Sequence, residues 1–160
     1  MAETGLDRLP TRTELQAYRC FLRAHARVTR CLDGQLRAEQ ELTLAAYDVL
    51  DALAERRERG LRMTELADAV LLSRSGVTRL VDRMEAAGLV RREVSSRDGR
   101  VHLVALTAEG DAMAARAARM HACNVQRYML DALPEADRET VMKGLAVLSR
   151  SARAALPQMP

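Results

Sequence analysis

The sequence predicts a mainly helical chain with one small β-hairpin, and three observations predict it. Apolar residues recur at spacings of three and four along most of the chain, which lines up one face of an α-helix. Threonine or serine stands just ahead of several of these runs, at Thr43, Thr64, Ser73 and Thr107, where a hydroxyl can cap a first helical turn. The period changes once, over residues 89–94 and 100–106, to two short valine-rich runs joined by Ser95-Ser96-Arg97-Asp98-Gly99. Asp-Gly between such runs signals a hairpin, because a tight turn needs residues that tolerate positive φ.

Each element follows in order. The first helical pattern begins near Thr11, and Leu15, Tyr18, Leu22, His25, Thr29, Leu32 and Leu36 form its stripe. Thr43 starts a second helix through Leu44, Tyr47, Leu50 and Leu53, ending near Gly60. Thr64 is placed to cap a short third helix over residues 65–70, and Leu71-Leu72-Ser73 makes a brief turn. Ser73 caps a fourth helix that runs to about Ala87, where Gly88 supplies the left-handed residue and Leu89 the apolar contact behind it. After the hairpin, Thr107 caps a fifth helix reaching about Leu130. Pro134 opens a sixth, with Val141, Leu145, Leu148, Ala152 and Leu156 on one face.

Composition sets bounds on what this order can do. A length of 160 residues has room for one ordinary domain or a small module fused to helices, and 48% hydrophobic with 29% charged residues supports a packed core. The net charge of +3 is too small to argue a polyanionic partner by itself. Lys143 is the only lysine among 25 basic residues, a bias that codon usage can produce. No apolar run is long enough to span a bilayer, and residues 1–10 lack the apolar stretch of a signal peptide, so the expected compartment is the cytoplasm. Cys20, Cys31 and Cys123 are odd in number and without CxxC spacing, and His25, His102 and His121 lie far apart in sequence. With no glycine-rich phosphate loop and no GxSxG elbow either, neither a cofactor nor a metal is expected, and an enzyme is disfavoured.

The fourth helix carries the chemistry. At 100° per residue, Val77, Leu80, Val81, Met84 and Ala87 share one arc, while Ser75, Thr78, Arg79 and Asp82 cluster on the other side. A short helix, a tight turn and an amphipathic helix with Ser, Thr and Arg outward is what a helix-turn-helix requires. The apolar side seats the helix, and an arginine fork can bond guanine O6 and N7 in the major groove. Between Ser73 and Arg100 there are seven arginines (74, 79, 83, 91, 92, 97 and 100) against four acids (82, 85, 93 and 98). Removing these from the totals of 25 and 22 leaves 18 of each, so the surplus sits on the unit that would face phosphates. Arg97 stands near the hairpin tip, where it can enter a minor groove, and Asp98 and Arg100 are close enough to pair and shape the turn. Helix-turn-helix plus hairpin wing is the reading these features favour.

The runs LTLAAYDVLDALAE, LRMTELADAVLLSRSGVTRLVDRMEAAGLVRR and SSRDGRVHLVALTAEG resemble a MarR-family winged-helix regulator, over about residues 42–110. The segments SGVTRLVDRMEAAGLVRR and DGRVHLVALTAEG carry the resemblance most specifically. It implies a winged helix-turn-helix over residues 42–106, with residues 11–40 and 107–156 as dimerisation helices. It further implies that Arg74, Ser75, Thr78 and Arg79 read or clamp the major groove and that Arg97 and Arg100 serve the minor groove; Arg83 is expected to contact DNA as well, and Asp98 and Gly99 to structure the wing. The homodimer also has a bottom-up basis, since helices one, five and six carry stripes that a small winged unit cannot cover alone. A twofold dimer in turn predicts a pseudo-palindromic double-stranded DNA operator.

Two sensing schemes follow. Members of the family commonly release DNA on binding small aromatic acids or phenols, and the resemblance sets helix one beside the usual cleft. That makes Tyr18, Leu22, His25 and Tyr47 the expected pocket, with His25 a polar break in an apolar stripe that needs either a buried partner or a ligand. The other scheme is thiol oxidation at Cys20, whose thiolate Arg23, Arg27 and Arg30 on the neighbouring arc would favour. Cys20-Phe21 is similar to the hydroperoxide-sensing branch, but Ala24 and Gly34 stand where that branch has tyrosines. From another class, a winged-helix protein-interaction module without DNA binding is the alternative. A small-molecule effector-responsive repressor is the leading expectation.

Overall fold

Four of the helices begin at a side-chain oxygen that closes the first turn. In the computed structural model, which describes residues 8–70, 72–94 and 102–155, Thr11, Thr43, Ser73 and Thr107 each accept a backbone N–H from three residues on. Thr11 completes a reciprocal box, because its own N–H donates to Glu14 Oε2 at 2.7 Å. The helices are α1 (Arg12–Gln40), α2 (Leu44–Ala54), α3 (Met63–Val70), α4 (Arg74–Ala86), α5 (Ala108–Val125) and α6 (Glu135–Ala155). Strands β1 (Val90–Val94) and β2 (His102–Leu106) form the antiparallel hairpin, with Val90 opposite Leu106 and Val94 opposite His102. The mainly helical chain with a β-hairpin wing is therefore what the sequence folds into. Leu71, Leu156 and the hairpin segment 95–101 lie outside the described residues.

Three element boundaries differ from expectation. Helix α2 stops at Ala54 rather than near Gly60, and turns carry the chain to Gly60. Helix α3 starts at Met63, so Thr64 lies inside it; the Arg62 N–H donates to Glu65 Oε2 at 2.8 Å, and this acid closes the first turn in place of a threonine hydroxyl. The last five residues of the expected fifth helix, Gln126–Leu130, wind as a π-helical segment.

The core belongs to the winged unit. Leu50, Leu53, Leu61, Leu66, Val77, Val81, Val90 and Val104 are all fully buried, and Leu36 joins them from the end of α1. Leu61 adds a third, single-bridge strand to the hairpin by exchanging backbone hydrogen bonds with Val104 at 2.9 and 2.8 Å. Two glycines set how the wing meets the helices. Gly88 (φ 72°) ends α4 in the left-handed conformation, with Leu89 N–H returning to Met84 O at 2.9 Å. Gly110 lets α5 start directly against strand β1, since a Cβ there would lie 1.8 Å from the Leu89 carbonyl oxygen. Thr107 joins the same corner, donating its hydroxyl to Gly88 O at 2.6 Å.

The terminal helices are different. Only Leu32 and Leu36 of α1 are buried, and no residue of α6 is. Leu15, Tyr18, Phe21 and Leu22 on α1, and Met142, Val147 and Leu148 on α6, are exposed apolar side chains in the single chain.

Candidate nucleic-acid interface

Helix α4 is anchored by its apolar arc: Val77 and Val81 are fully buried and Leu80 and Met84 nearly so. That anchor fixes what the rest of the helix presents. Arg74, Ser75, Thr78, Arg79 and Arg83 lie on the side turned away from the core, and all five are exposed. The Thr78 hydroxyl donates to Arg74 O at 2.9 Å, which presses it against its own helix. Ser75 lies 3.3 Å from Ser73, hydroxyl to hydroxyl, beside the cap. On one flank, Gly76, Arg79 and Arg83 border an open cleft of about 770 Å³ whose far wall is Asp33, Arg37 and Thr43.

The basic surplus divides unevenly between helix and strand. On β1, Arg91 pairs with Glu93 at 3.1 Å and also donates to the Leu106 carbonyl oxygen. Arg92 pairs with Asp82 at 2.5 Å and with Glu85. Among the described residues, Arg74, Arg79 and Arg83 have no carboxylate partner, so the uncompensated charge lies on α4. Counting charges along the sequence could not separate these two groups, because Arg92 finds its partners across from strand to helix, while Arg91 pairs within its own strand. Arg97, Asp98, Gly99 and Arg100 fall outside the described residues.

The four residues expected to line an effector pocket do not share one environment. Tyr18 (58% exposed), Leu22 and His25 lie on open surface of α1, with the Phe21 and His25 rings 6.4 Å apart. Tyr47 is 6% exposed, inside the core, with its ring 4.4 Å from that of His121 on α5 and its hydroxyl donating to Asp51 at 3.4 Å. Burial and the Asp51 carboxylate push the Tyr47 hydroxyl up to about 12. Burial pushes the neighbouring Asp48 up to about 6, with Asp51 adding to the shift. His121 is pulled below its ordinary value by burial, and its Nδ1 is buried without a hydrogen-bond partner. Sequence reasoning passed over His121, although it follows the buried Ala114 and Ala117 at helical spacing and so belongs to the same face of α5.

Cys20 is exposed, and the Arg23 guanidinium lies 3.6 Å from its sulfur. Cys31 and Cys123 are exposed as well. Among the described residues no group of three His, Cys, Asp or Glu side chains is arranged to hold a metal ion, and no helix is long and apolar enough to cross a membrane.

Comparison with known proteins places this geometry among relatives. Residues 40–101 match the family model described as MarR family. Sco3205 from Streptomyces coelicolor, a MarR family transcriptional regulator solved in complex with DNA, is 30% identical; the alignment covers 97% of this chain and 95% of Sco3205 with a TM-score of 0.83. CouR from Rhodococcus jostii RHA1, solved bound to p-coumaroyl-CoA, is 26% identical over 88% of this chain and 92% of its own, with a TM-score of 0.72. The transcriptional regulator HosA of Escherichia coli is 36% identical over 77 residues, 48% of this chain. The match spans 56% of HosA, little more than half its length.

Proposed function

This chain belongs to the MarR family, and from that premise we propose that it is a sequence-specific transcriptional regulator binding double-stranded DNA as a homodimer. The observation that carries the proposal is α4 itself, whose apolar arc is locked into the core while Arg74, Arg79 and Arg83, without a carboxylate partner among the described residues, face outward. Arg79 reads a base edge in the major groove, with Ser75 and Thr78 allowing close approach and Arg74 and Arg83 on phosphates. Arg97 and Arg100 reach the minor groove from the wing, where Asp98 and Gly99 shape the turn. The dimer forms through residues 11–40 and 107–156, whose apolar side chains a second copy covers, and its twofold axis calls for a pseudo-palindromic operator. The setting is the cytoplasm.

Arg79→Ala tests the reading. It is expected to lower affinity for a selected operator by about 1–3 kcal/mol, and affinity for random-sequence duplex much less. Equal losses on the two duplexes would make Arg79 a phosphate contact and remove the base-reading role.

The protein acts as a repressor released by a small aromatic or phenolic acid-like molecule. Support comes from the ligand-bound relative CouR and from the contact between Tyr47 of α2 and the half-buried His121 of α5; Tyr18, Leu22 and His25, exposed on α1, stand apart from that pair. Titration with aromatic carboxylates should release operator from the unsubstituted protein and less readily from His25→Ala; no release by any of them counts against this effector class. The Arg23–Cys20 contact supports a second reading, a thiol whose oxidation releases DNA. Operator binding that survives peroxide treatment eliminates it.

A further inference from the structure

Arg92 stands on the wing strand yet spends its side chain on the reading helix. Its Nη2 pairs with Asp82 Oδ1 at 2.5 Å, its Nη1 pairs with Glu85 Oε2, and its backbone N–H donates to Glu85 Oε1 at 2.9 Å. One guanidinium therefore bridges two carboxylates three residues apart on α4, with about a third of its own side chain left exposed (32%). Asp82 follows Arg79 by three residues and Ser75 by seven, which sets it on the same outward arc as the side chains proposed to meet DNA. A free carboxylate there would face phosphates and repel them.

The geometry points to Arg92 as a positioning residue of the DNA interface: it neutralises Asp82 and Glu85 and ties β1 to α4, and it does so without touching DNA. This rests on the DNA-binding reading given above. Removing Arg92 does more than delete one positive charge, because it uncovers two negative ones beside Arg79 and Arg83. An exposed ion-pair network contributes little to folding stability, so the effect belongs to binding rather than to the fold.

Four proteins test this: the unsubstituted chain, Arg92→Ala, the pair Asp82→Asn with Glu85→Gln, and all three substitutions together. Each is titrated against fluorescently labelled random-sequence duplex DNA over a range of salt concentrations, with helical content followed by circular dichroism. Arg92→Ala is expected to bind at least about tenfold more weakly. Neutralising the two acids in that background is expected to restore affinity to within about threefold of the unsubstituted chain. The acid pair alone, with Arg92 in place, is expected to bind at least as tightly as the unsubstituted chain. It keeps the test open should Arg92→Ala fold poorly, and weaker binding by this pair overturns the proposal. A triple variant as weak as Arg92→Ala, with its salt dependence shallower by about one ion, makes Arg92 a phosphate contact and overturns it. Unchanged binding by Arg92→Ala overturns it too. Failure of the unsubstituted chain to bind any duplex is read before the variants, and it overturns the DNA-binding reading together with this one.

Discussion

The winged unit and the terminal helices bury their apolar residues in opposite ways. From α2 to β2, the leucines and valines close on one another, and the unit completes its core within one chain. Helix α6 repeats apolar residues at the same helical spacing yet buries none of them, and α1 buries only Leu32 and Leu36 near its C-terminal end. Periodicity therefore says that a helix has an apolar face, but not what covers it. Where the covering group lies in the same chain, folding is an intramolecular event. Where it does not, burial waits on a second molecule and depends on concentration.

Three substitutions sharpen or break this contrast. The largest effect is expected at Leu50, fully buried in the winged unit. Leu50→Ala should destabilise by about 2–5 kcal/mol through lost burial and a residual cavity. Thermal denaturation checks it, and a loss below 1 kcal/mol would mean that the core closes around the gap. Next comes Leu148, 59% exposed on α6. Leu148→Arg should leave the helical content of the winged unit unchanged while weakening self-association by about 2 kcal/mol, since it sets a charge into an apolar contact. Sedimentation at several concentrations reads this out, and unaltered self-association removes this face of α6 from the proposed dimer interface.

The smallest effect concerns Asp48, at the seam between the two regions. Its carboxyl is raised to about 6 in the folded chain by burial and by Asp51, above the value of about 3.9 expected when unfolded. Between those values the folded state holds more protons than the unfolded one, so this group's contribution falls as pH rises from about 4 to 6 and is level above that. Asp48→Asn should remove that slope and add on the order of 1 kcal/mol at neutral pH, the partial exposure of the group limiting the gain. Denaturant unfolding of both proteins at several pH values isolates the difference, and parallel curves would show that Asp48 titrates normally.

Much of the architecture was legible without coordinates because it is local. Thr43, Ser73 and Thr107 cap the turns that follow them, Gly88 ends α4, and Val77, Leu80, Val81 and Met84 form the buried arc that their spacing implies. The exception at α3 has the same local character, with Glu65 closing a turn that a threonine was expected to cap. Legibility was poorer for the site. Tyr18 and Tyr47 looked alike as aromatic members of helical stripes, yet one is on the surface and the other stacks against His121.

Short-range rules acting within one turn of helix or one hairpin thus suffice for the elements, their order and the outward face of α4, because each rests on neighbours a few residues away. Which arginines remain free is a matter of tertiary structure alone. Arg92 reaches Asp82 and Glu85 only after the hairpin folds back on α4, and Tyr47 meets His121 only after α5 packs on α2. Charge and burial at those positions depend on residues distant in the chain, and a one-dimensional pattern carries no record of how far apart they will lie in the fold.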